Sequence, residues 1–312
     1  MAVAERTESR RQLELTRLLR YGAPALYVAV LVFVVYRDGI PAAHVRDREG
    51  EEPEDDPHEQ PLARGVVLEW LPFALILWAY DLLRGQADGL LFETHVRPQL
   101  EADRILGLGT APTVWLQEHL WHGALDLRWW DYAAWGVYVS YFLATYLLAG
   151  GLWFFARDRF RRYVAAVSLL ALMGFATYAL FPAAPPWLAS SLGELEPTTR
   201  TIGIVAGELP WLDFSTLFER GAEYANPVAA VPSLHAAYTL LVVLTLWPIV
   251  PRWVRPVLAL YPPAMAFALV YTAEHYVVDI LLGWAYTLAA VWIVGRVADR
   301  HGNRPRATVN DA

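Results

Sequence analysis

The sequence contains no cysteine and no lysine, so that all 25 of its basic residues are arginine. The absence of cysteine excludes disulfides, thiolate catalysis and cysteine metal sites. The absence of lysine excludes Schiff-base chemistry, but the guanidinium fork of arginine can still hold a phosphate. Charged residues make up only 18% of the 312 residues, against about a quarter in soluble domains. The net charge of -7 gives no reason to expect nucleic acid as a partner.

The sequence is rich in long apolar stretches. Hydrophobic residues make up 56% of the chain, and the mean hydropathy is +0.29. A spanning helix needs roughly 20 apolar residues. Seven windows approach this length, at 21–36, 65–83, 132–155, 163–181, 229–250, 256–272 and 276–294. The pattern predicts an all-α, polytopic membrane helical bundle.

Three segments that carry polar or helix-breaking residues are predicted to share one membrane face. Window four ends at Phe181-Pro-Ala-Ala-Pro-Pro-Trp187, window five begins at Val231-Pro-Ser-Leu-His235, and window seven begins at His275-Tyr-Val-Val-Asp279. Window five crosses the membrane and window six returns, so the three segments meet on the same side. Ionisable side chains in membrane helices are costly, and their default interpretation is functional.

The residue types in these segments suit phosphoryl transfer. His275 and Asp279 are one helical turn apart, so a carboxylate can fix the tautomer of the imidazole and leave its other nitrogen as a nucleophile. Ser233 and His235 follow Pro232 at a helix start, where backbone N–H groups favour a bound phosphate. The second histidine can protonate the leaving oxygen as a general acid.

Other interpretations of the same residues remain open. Ser233 alone is explained as a helix N-cap, and His275 with Asp279 as a structural pair. His235, His275 and Asp279 could instead bind zinc in a metal-dependent membrane hydrolase. A transporter or channel could use intramembrane histidines, although its polar groups usually lie near mid-membrane. The order of the three segments on one face favours phosphoryl transfer.

These segments resemble the type-2 phosphatidic acid phosphatase superfamily, and within it the branch of inositol phosphorylceramide synthases and their bacterial relatives. The third segment continues as Asp279-Ile-Leu-Leu-Gly283, and this continuation is part of the resemblance. The resemblance implies a six-helix core, no metal and no cofactor, and a phosphohistidine intermediate. It assigns His275 as nucleophile, Asp279 as its orienter, His235 as general acid and Ser233 as a phosphate ligand. It extends over about 65–297.

The sequence departs from the superfamily in its first motif. The lysine and the later Arg-Pro of that motif are missing, and the Pro-Pro-Trp segment stands in their place, as in the inositolphosphotransferase branch. Another arginine must then neutralise the phosphate. Arg84 is the first candidate because it ends window two on the site face. Arg200 and Arg220, in the long connection, are the others.

We divide the chain into three parts. Residues 1–63 comprise an amphipathic segment, the first membrane helix and an acidic loop. Residues 64–297 form the catalytic membrane domain, and residues 298–312 a polar disordered tail. Within the second part, the Trp-rich connection 85–131 is expected to form helices lying at the interface. The Pro- and Gly-rich connection 183–227 has the length of a functional loop.

Arginine-bearing loops opposite the site predict which side is cytoplasmic. They hold Arg157, Arg159, Arg161, Arg162, Arg252, Arg255, Arg296, Arg300, Arg304 and Arg306. We therefore expect the site to face away from the cytoplasm. The resemblance implies a multi-pass protein of a bacterial plasma membrane with a lipid or polyprenyl phosphate as substrate. The arginines before window one disagree, unless that window does not fully cross or the connection 85–131 dips into the bilayer.

Overall fold

The computed structural model describes residues 69–71, 73–76, 92–209 and 227–302. Within these residues the chain is helical, without strands. The helices are α1 (Arg97–Leu106), α2 (Pro112–Leu120), α3 (Trp129–Phe155), α4 (Arg157–Leu180), α5 (Pro186–Ser191), α6 (Thr201–Gly207), α7 (Leu234–Leu246), α8 (Arg255–Ala259), α9 (Tyr261–Tyr271) and α10 (Val277–Gly302). The predicted all-α membrane bundle is confirmed.

The predicted windows three, four and seven correspond to the three longest described helices. Helices α3, α4 and α10 are long and apolar enough to cross a membrane, and α7 is a shorter apolar helix at window five. Window six is divided between α8 and α9, with prolines in the first turn of each. Window one lies outside the described residues, and only 69–71 and 73–76 of window two lie within them.

Four of the described helices, α3, α4, α7 and α10, contribute most of the main hydrophobic core. Helix α7 packs against α10, α4 and α3, and α9 packs mainly against α3 and α7. Leu170 of α4, Leu241 of α7 and Ala290 of α10 are almost completely buried in this core. The outward faces keep large apolar side chains exposed, among them Leu147 and Trp292. An apolar surface of this kind suits contact with lipid rather than water.

Gly283 allows the two helices that carry the histidines to approach closely. A Cβ atom built on Gly283 of α10 would lie 2.3 Å from the carbonyl oxygen of Ser233, immediately before α7. No side chain fits this gap without a backbone shift. The glycine therefore sets the distance between the starts of α7 and α10.

The connection 85–131 forms two short helices rather than a span, in the part that is described. Both begin with proline in the first turn, where the missing N–H is not needed. Helix α1 packs against the start of α10, and α2 against α9. These helices brace the end of the bundle where window seven begins. Residues 210–226 of the second long connection lie outside the described residues.

Glu69 lies at the opposite end of the bundle. It accepts hydrogen bonds from Trp153 Nε1 at 2.7 Å and from Arg161 at 3.0 Å, and it also pairs with Arg157. Arg157 begins α4, whose other end leads to the Pro-rich segment. Glu69 is therefore a boundary residue paired with arginine, and not part of a polar cavity at the site.

Candidate active site

His275 lies two residues before α10 and is held by two acceptors. Its side chain is 6% exposed, and its Nδ1 lies 3.0 Å from the backbone oxygen of Ala230 and 3.5 Å from Asp279 Oδ2. A carbonyl oxygen can only accept, so Nδ1 carries the proton of the neutral ring. The other nitrogen, Nε2, is left as the basic atom. Ala230 is a partner that the sequence did not reveal.

Two buried carboxylates meet the first turn of α10. Asp279 Oδ2 accepts the backbone N–H of Tyr276 at 2.9 Å, and Asp103 Oδ1 of α1 accepts that of Val278 at 3.0 Å. Both aspartates are completely buried. Carboxylates at this position are stabilised by the unpaired N–H groups and by the helix dipole. The predicted pair of His275 and Asp279 therefore lies at a helix start that a second carboxylate, Asp103, also contacts.

Burial raises the pKa of Asp103 to about 6, and the nearby charge of Asp279 acts in the same direction. Hydrogen bonds from the backbone N–H groups of Val278 and Val277 oppose this rise. The pKa of the Asp103 carboxyl group therefore lies well above the usual value for aspartate. It was not among the predicted site residues.

The second histidine lies next to the first. The ring centroids of His235 and His275 are 5.7 Å apart. Tyr138 of α3 stacks on His235 at 4.8 Å, and the ring of Tyr141 lies 4.4 Å from it. The predicted pair of imidazoles thus meets at one end of the bundle, with a wall of tyrosine rings from α3.

Ser233 is completely buried at the start of α7. Its Oγ accepts the N–H of Ala236 at 3.4 Å, and its backbone N–H donates to the backbone oxygen of Asp279 at 3.0 Å. The residue is therefore a helix N-cap and ties α7 to α10. The Val231–Pro232 peptide bond before it is cis.

The Pro-rich segment 181–187 connects the two histidine-bearing segments through its backbone. The N–H of Ala183 donates to the oxygen of Val228 at 2.7 Å, and the N–H of Ala230 donates to the oxygen of Ala183 at 3.3 Å. The N–H of Trp187 donates to the oxygen of Ala273 at 3.2 Å. The segment does more than terminate a helix. It links residues 228–230, which precede α7, to Ala273, which lies in the turn before His275.

Of the three candidate phosphate-binding arginines, Arg200 lies within the described residues, whereas Arg84 and Arg220 lie outside them. The guanidinium of Arg200 forms a bidentate pair with Glu274, the neighbour of His275. No group of three potential metal-ligating side chains is present among the described residues. The described residues therefore do not support the interpretation of the site as a zinc site.

The comparisons with known proteins identify the family. Residues 100–293 match the family model described as the PAP2 superfamily. The chain is also 31% identical over 238 residues to phosphoinositol dihydroceramide synthase of Bacteroides thetaiotaomicron, covering 70% of this chain and 73% of that protein. No solved structure matches the chain. The matched region includes both histidines and all three segments of the candidate site. The chain therefore belongs to the PAP2 superfamily, and it is a membrane enzyme of the lipid phosphatase and phosphotransferase class.

Proposed function

We propose that this protein transfers a phosphate-containing group from a lipid-linked donor to an alcohol through a phosphohistidine intermediate. The observation that carries the proposal is the 5.7 Å separation of the His235 and His275 rings, together with the acceptor at His275 Nδ1. One ring presents a basic Nε2 atom, and the other stands close enough to exchange a proton with a group bound between them.

The reaction proceeds in two displacements. In the first, His275 Nε2 attacks phosphorus, the bond between phosphorus and the leaving oxygen breaks, and protonated His235 gives its proton to that oxygen. In the second, an alcohol attacks phosphorus, His235 removes the hydroxyl proton, and the phosphorus–nitrogen bond breaks. Asp279 stabilises the positive charge that develops on His275, since its carboxylate is only 3.5 Å from Nδ1.

Ser233 and one or more arginines would hold the phosphate oxygens. Arg200 is favoured by its contact with the residue before His275, while Arg84 and Arg220 remain candidates from the sequence. Ser233 can serve through its hydroxyl hydrogen, because its Oγ acts as an acceptor toward Ala236 and a hydroxyl can donate at the same time.

The substrate assignment follows the sequence pattern and the curated relative. The Pro-Pro-Trp segment favours the inositolphosphotransferase branch, and the relative is named for a phosphoinositol group and dihydroceramide. We infer that this protein takes an inositol-phosphate lipid as donor and a lipid alcohol as acceptor, both entering laterally from the bilayer. The arginine-rich loops at the opposite end favour a plasma-membrane protein with its site away from the cytoplasm.

The second candidate function is hydrolysis, in which water replaces the alcohol. The same phosphohistidine serves both reactions, so only the product distinguishes them. Purified protein in detergent should be incubated with labelled inositol-phosphate lipids and lipid phosphates, with and without a ceramide-type alcohol. A labelled lipid product that requires the alcohol indicates transfer, whereas a water-soluble labelled product without it indicates hydrolysis.

The same assay tests the histidines. His275→Ala should reduce turnover by about 10⁴-fold and His235→Ala by about 10²-fold to 10⁴-fold. Acid-labile, alkali-stable label should be trapped on the wild type and be absent from His275→Ala. The matched control is His119→Ala, since His119 is exposed on α2 and bonds only to Trp115 within the described residues. Wild-type turnover in both site variants would refute the phosphohistidine mechanism.

A further inference from the structure

Arg200 and Glu274 form the least exposed arginine–carboxylate pair among the described residues. Arg200 Nε lies 2.6 Å from Glu274 Oε1, and Nη2 lies 3.1 Å from Oε2, while the two side chains are 33% and 9% exposed. The comparable bidentate pair of Arg97 with Glu194 is 71% and 38% exposed. A fork-to-fork geometry of this kind defines the orientation of the guanidinium plane.

A tryptophan and a backbone clamp hold the same arginine. The Arg200 guanidinium carbon lies 4.7 Å from the ring centroid of Trp187. The preceding residue, Thr199, donates its N–H to Gln117 Oε1 and accepts from Gln117 Nε2, both at 2.7 Å. The same Nε2 also donates to the backbone oxygen of Tyr271. Both ends of the Arg200 side chain are therefore constrained.

The pair lies beside the two histidines. Glu274 precedes His275, and the backbone N–H groups of both residues donate to the carbonyl oxygen of Leu269. On the other side, Arg200 interacts electrostatically with Tyr138, whose ring stacks on His235. The pair is therefore connected to both imidazoles, to His275 through Glu274 and to His235 through Tyr138.

Among the described residues, the hydrogen bonds of Arg200 occupy one edge of its guanidinium. The described residues engage Nε and one N–H of Nη2, which form one edge of the fork. The Nη1–Nη2 edge offers two further parallel N–H groups, which is the geometry that binds two oxygens of a phosphate. Arg200 can therefore bind Glu274 through its Nε–Nη2 edge and a phosphate through its Nη1–Nη2 edge at the same time.

We propose that Glu274 and Trp187 are positioning residues that hold Arg200 with its Nη1–Nη2 edge toward the phosphate of the substrate. The three residues together would replace the missing lysine and Arg-Pro motif. This inference rests on the proposed function, because it requires a phosphate beside His275. It adds two residues, Glu274 and Trp187, that act through Arg200 and do not touch phosphorus themselves.

An exchange of the two charged residues tests whether Glu274 positions Arg200 for the phosphate or only stabilises the fold through the ion pair. The double variant Arg200→Glu/Glu274→Arg keeps an ion pair but removes the guanidinium from its position. We expect its thermal midpoint to recover relative to each single variant, while turnover remains low. The inhibition constant for inorganic orthovanadate, a phosphate analogue, should stay about tenfold or more above that of the wild type. Recovery of both turnover and vanadate inhibition would overturn the inference.

Single variants test the inference if the exchanged protein does not fold. Glu274→Gln keeps the shape of the side chain and one acceptor oxygen, and Glu274→Ala removes both. The vanadate inhibition constant and KM should rise about threefold in the first variant and about tenfold in the second, with a smaller change in kcat. Trp187→Leu should raise both constants about threefold. Unchanged vanadate inhibition in Glu274→Ala would refute the role of Glu274.

Two controls complete the experiment. The exchange Arg97→Glu/Glu194→Arg alters an exposed pair and should leave turnover and vanadate inhibition unchanged. His275→Ala distinguishes the two levels of the hypothesis. If that variant keeps turnover, the proposed function fails; if it loses turnover while the Arg200–Glu274 exchange restores activity, only the present inference fails.

Discussion

Each end of the bundle has a group of glutamate, arginine and tryptophan side chains, but the two groups lie in different surroundings. At the arginine-rich end, Glu69 binds Arg161 and Trp153, and Arg157 lies over the Trp153 ring. At the site end, Glu274 binds Arg200, which lies over Trp187. The arginines of the first group are at least 40% exposed and can turn toward water. The second group includes the neighbour of His275, whose imidazole lies 3.5 Å from the buried Asp279.

This difference shows why the residue types alone do not identify a functional site. An arginine–tryptophan pair at a helix end is typical of the membrane boundary, where both side chains anchor the helix. The group at the site end differs because the starts of α7 and α10 and the Pro-rich segment 181–187 meet there. If this comparison is correct, substitutions at the two ends should separate effects on catalysis from effects on stability.

Apart from the histidine variants, the largest effect is expected for Asp279→Asn. The variant keeps an acceptor for the Tyr276 N–H but loses the negative charge beside His275. We expect kcat/KM to fall about 10³-fold, or about 4 kcal/mol in transition-state stabilisation. The loss should be smaller than in His275→Ala, because the Ala230 carbonyl still accepts from Nδ1. Steady-state kinetics in detergent measure this, and a loss equal to that of His275→Ala would contradict the role given to Ala230.

Asp103 should make stability depend on pH at the site end. Its folded pKa of about 6 lies above the ordinary value of 3.8, so the folded state holds the proton more tightly than the unfolded state. The contribution of Asp103 to stability is therefore complete below about pH 4 and is lost as pH rises to about 6. The loss is of order 3 kcal/mol.

The Asp103→Asn variant isolates this contribution. The amide oxygen can still accept the Val278 N–H, but the group no longer titrates. Thermal midpoints followed by tryptophan fluorescence from pH 4.5 to 8 should decline less in Asp103→Asn than in the wild type. Parallel pH profiles for the two proteins would show that folding does not raise the pKa of the buried carboxyl group.

Gly283→Ala should disturb the contact between α7 and α10. The added methyl would meet the Ser233 carbonyl oxygen at 2.3 Å, and backbone atoms cannot move aside without a cost. We expect a destabilisation of about 2 kcal/mol and a fall in turnover. Gly295→Ala is the matched control on the same helix, because nothing lies within 4 Å of the added atom. Equal thermal midpoints for the two variants would argue against this close packing.

The smallest effect is expected for Glu69→Gln at the arginine-rich end. Its arginine partners are partly exposed, so they can be solvated once the carboxylate is lost. Stability should fall by about 1 kcal/mol, without a change in kcat or KM. Asp158→Asn, at an exposed position of α4, is the control. A tenfold loss of turnover in Glu69→Gln would indicate that the two ends of the bundle are coupled.

The predicted windows located the long helices well and the short ones less well. Helices α3, α4 and α10 overlap their windows, but α4 begins at Arg157, ahead of window four (163–181), and α10 continues to Gly302, beyond window seven (276–294). Helix α7 begins at Leu234, five residues after the start of its window, because Ala229 pairs with Ala183 of the Pro-rich segment before the helix begins. Hydropathy cannot distinguish an extended apolar segment from a helical one over so few residues.

The candidate site was predicted in outline but not in its supporting contacts. The sequence placed His235, His275 and Asp279 on one face, and the structure brings the two rings together. It did not reveal Ala230 as the acceptor for His275, Asp103 as the cap of α10, or Tyr138 beside His235. The bidentate partner of Arg200 was missed as well, although Glu274 adjoins a predicted catalytic residue.

The order of residues along the chain is sufficient for the membrane helices and for the one-turn spacing of His275 and Asp279. Both depend on interactions between near neighbours, namely apolar length against bilayer thickness and the pitch of a helix. The acceptor at His275, the second carboxylate at α10 and the orientation of Arg200 join residues 45, 175 and 74 positions apart. Such contacts leave no local periodicity, so only the packing of the helices against one another establishes them.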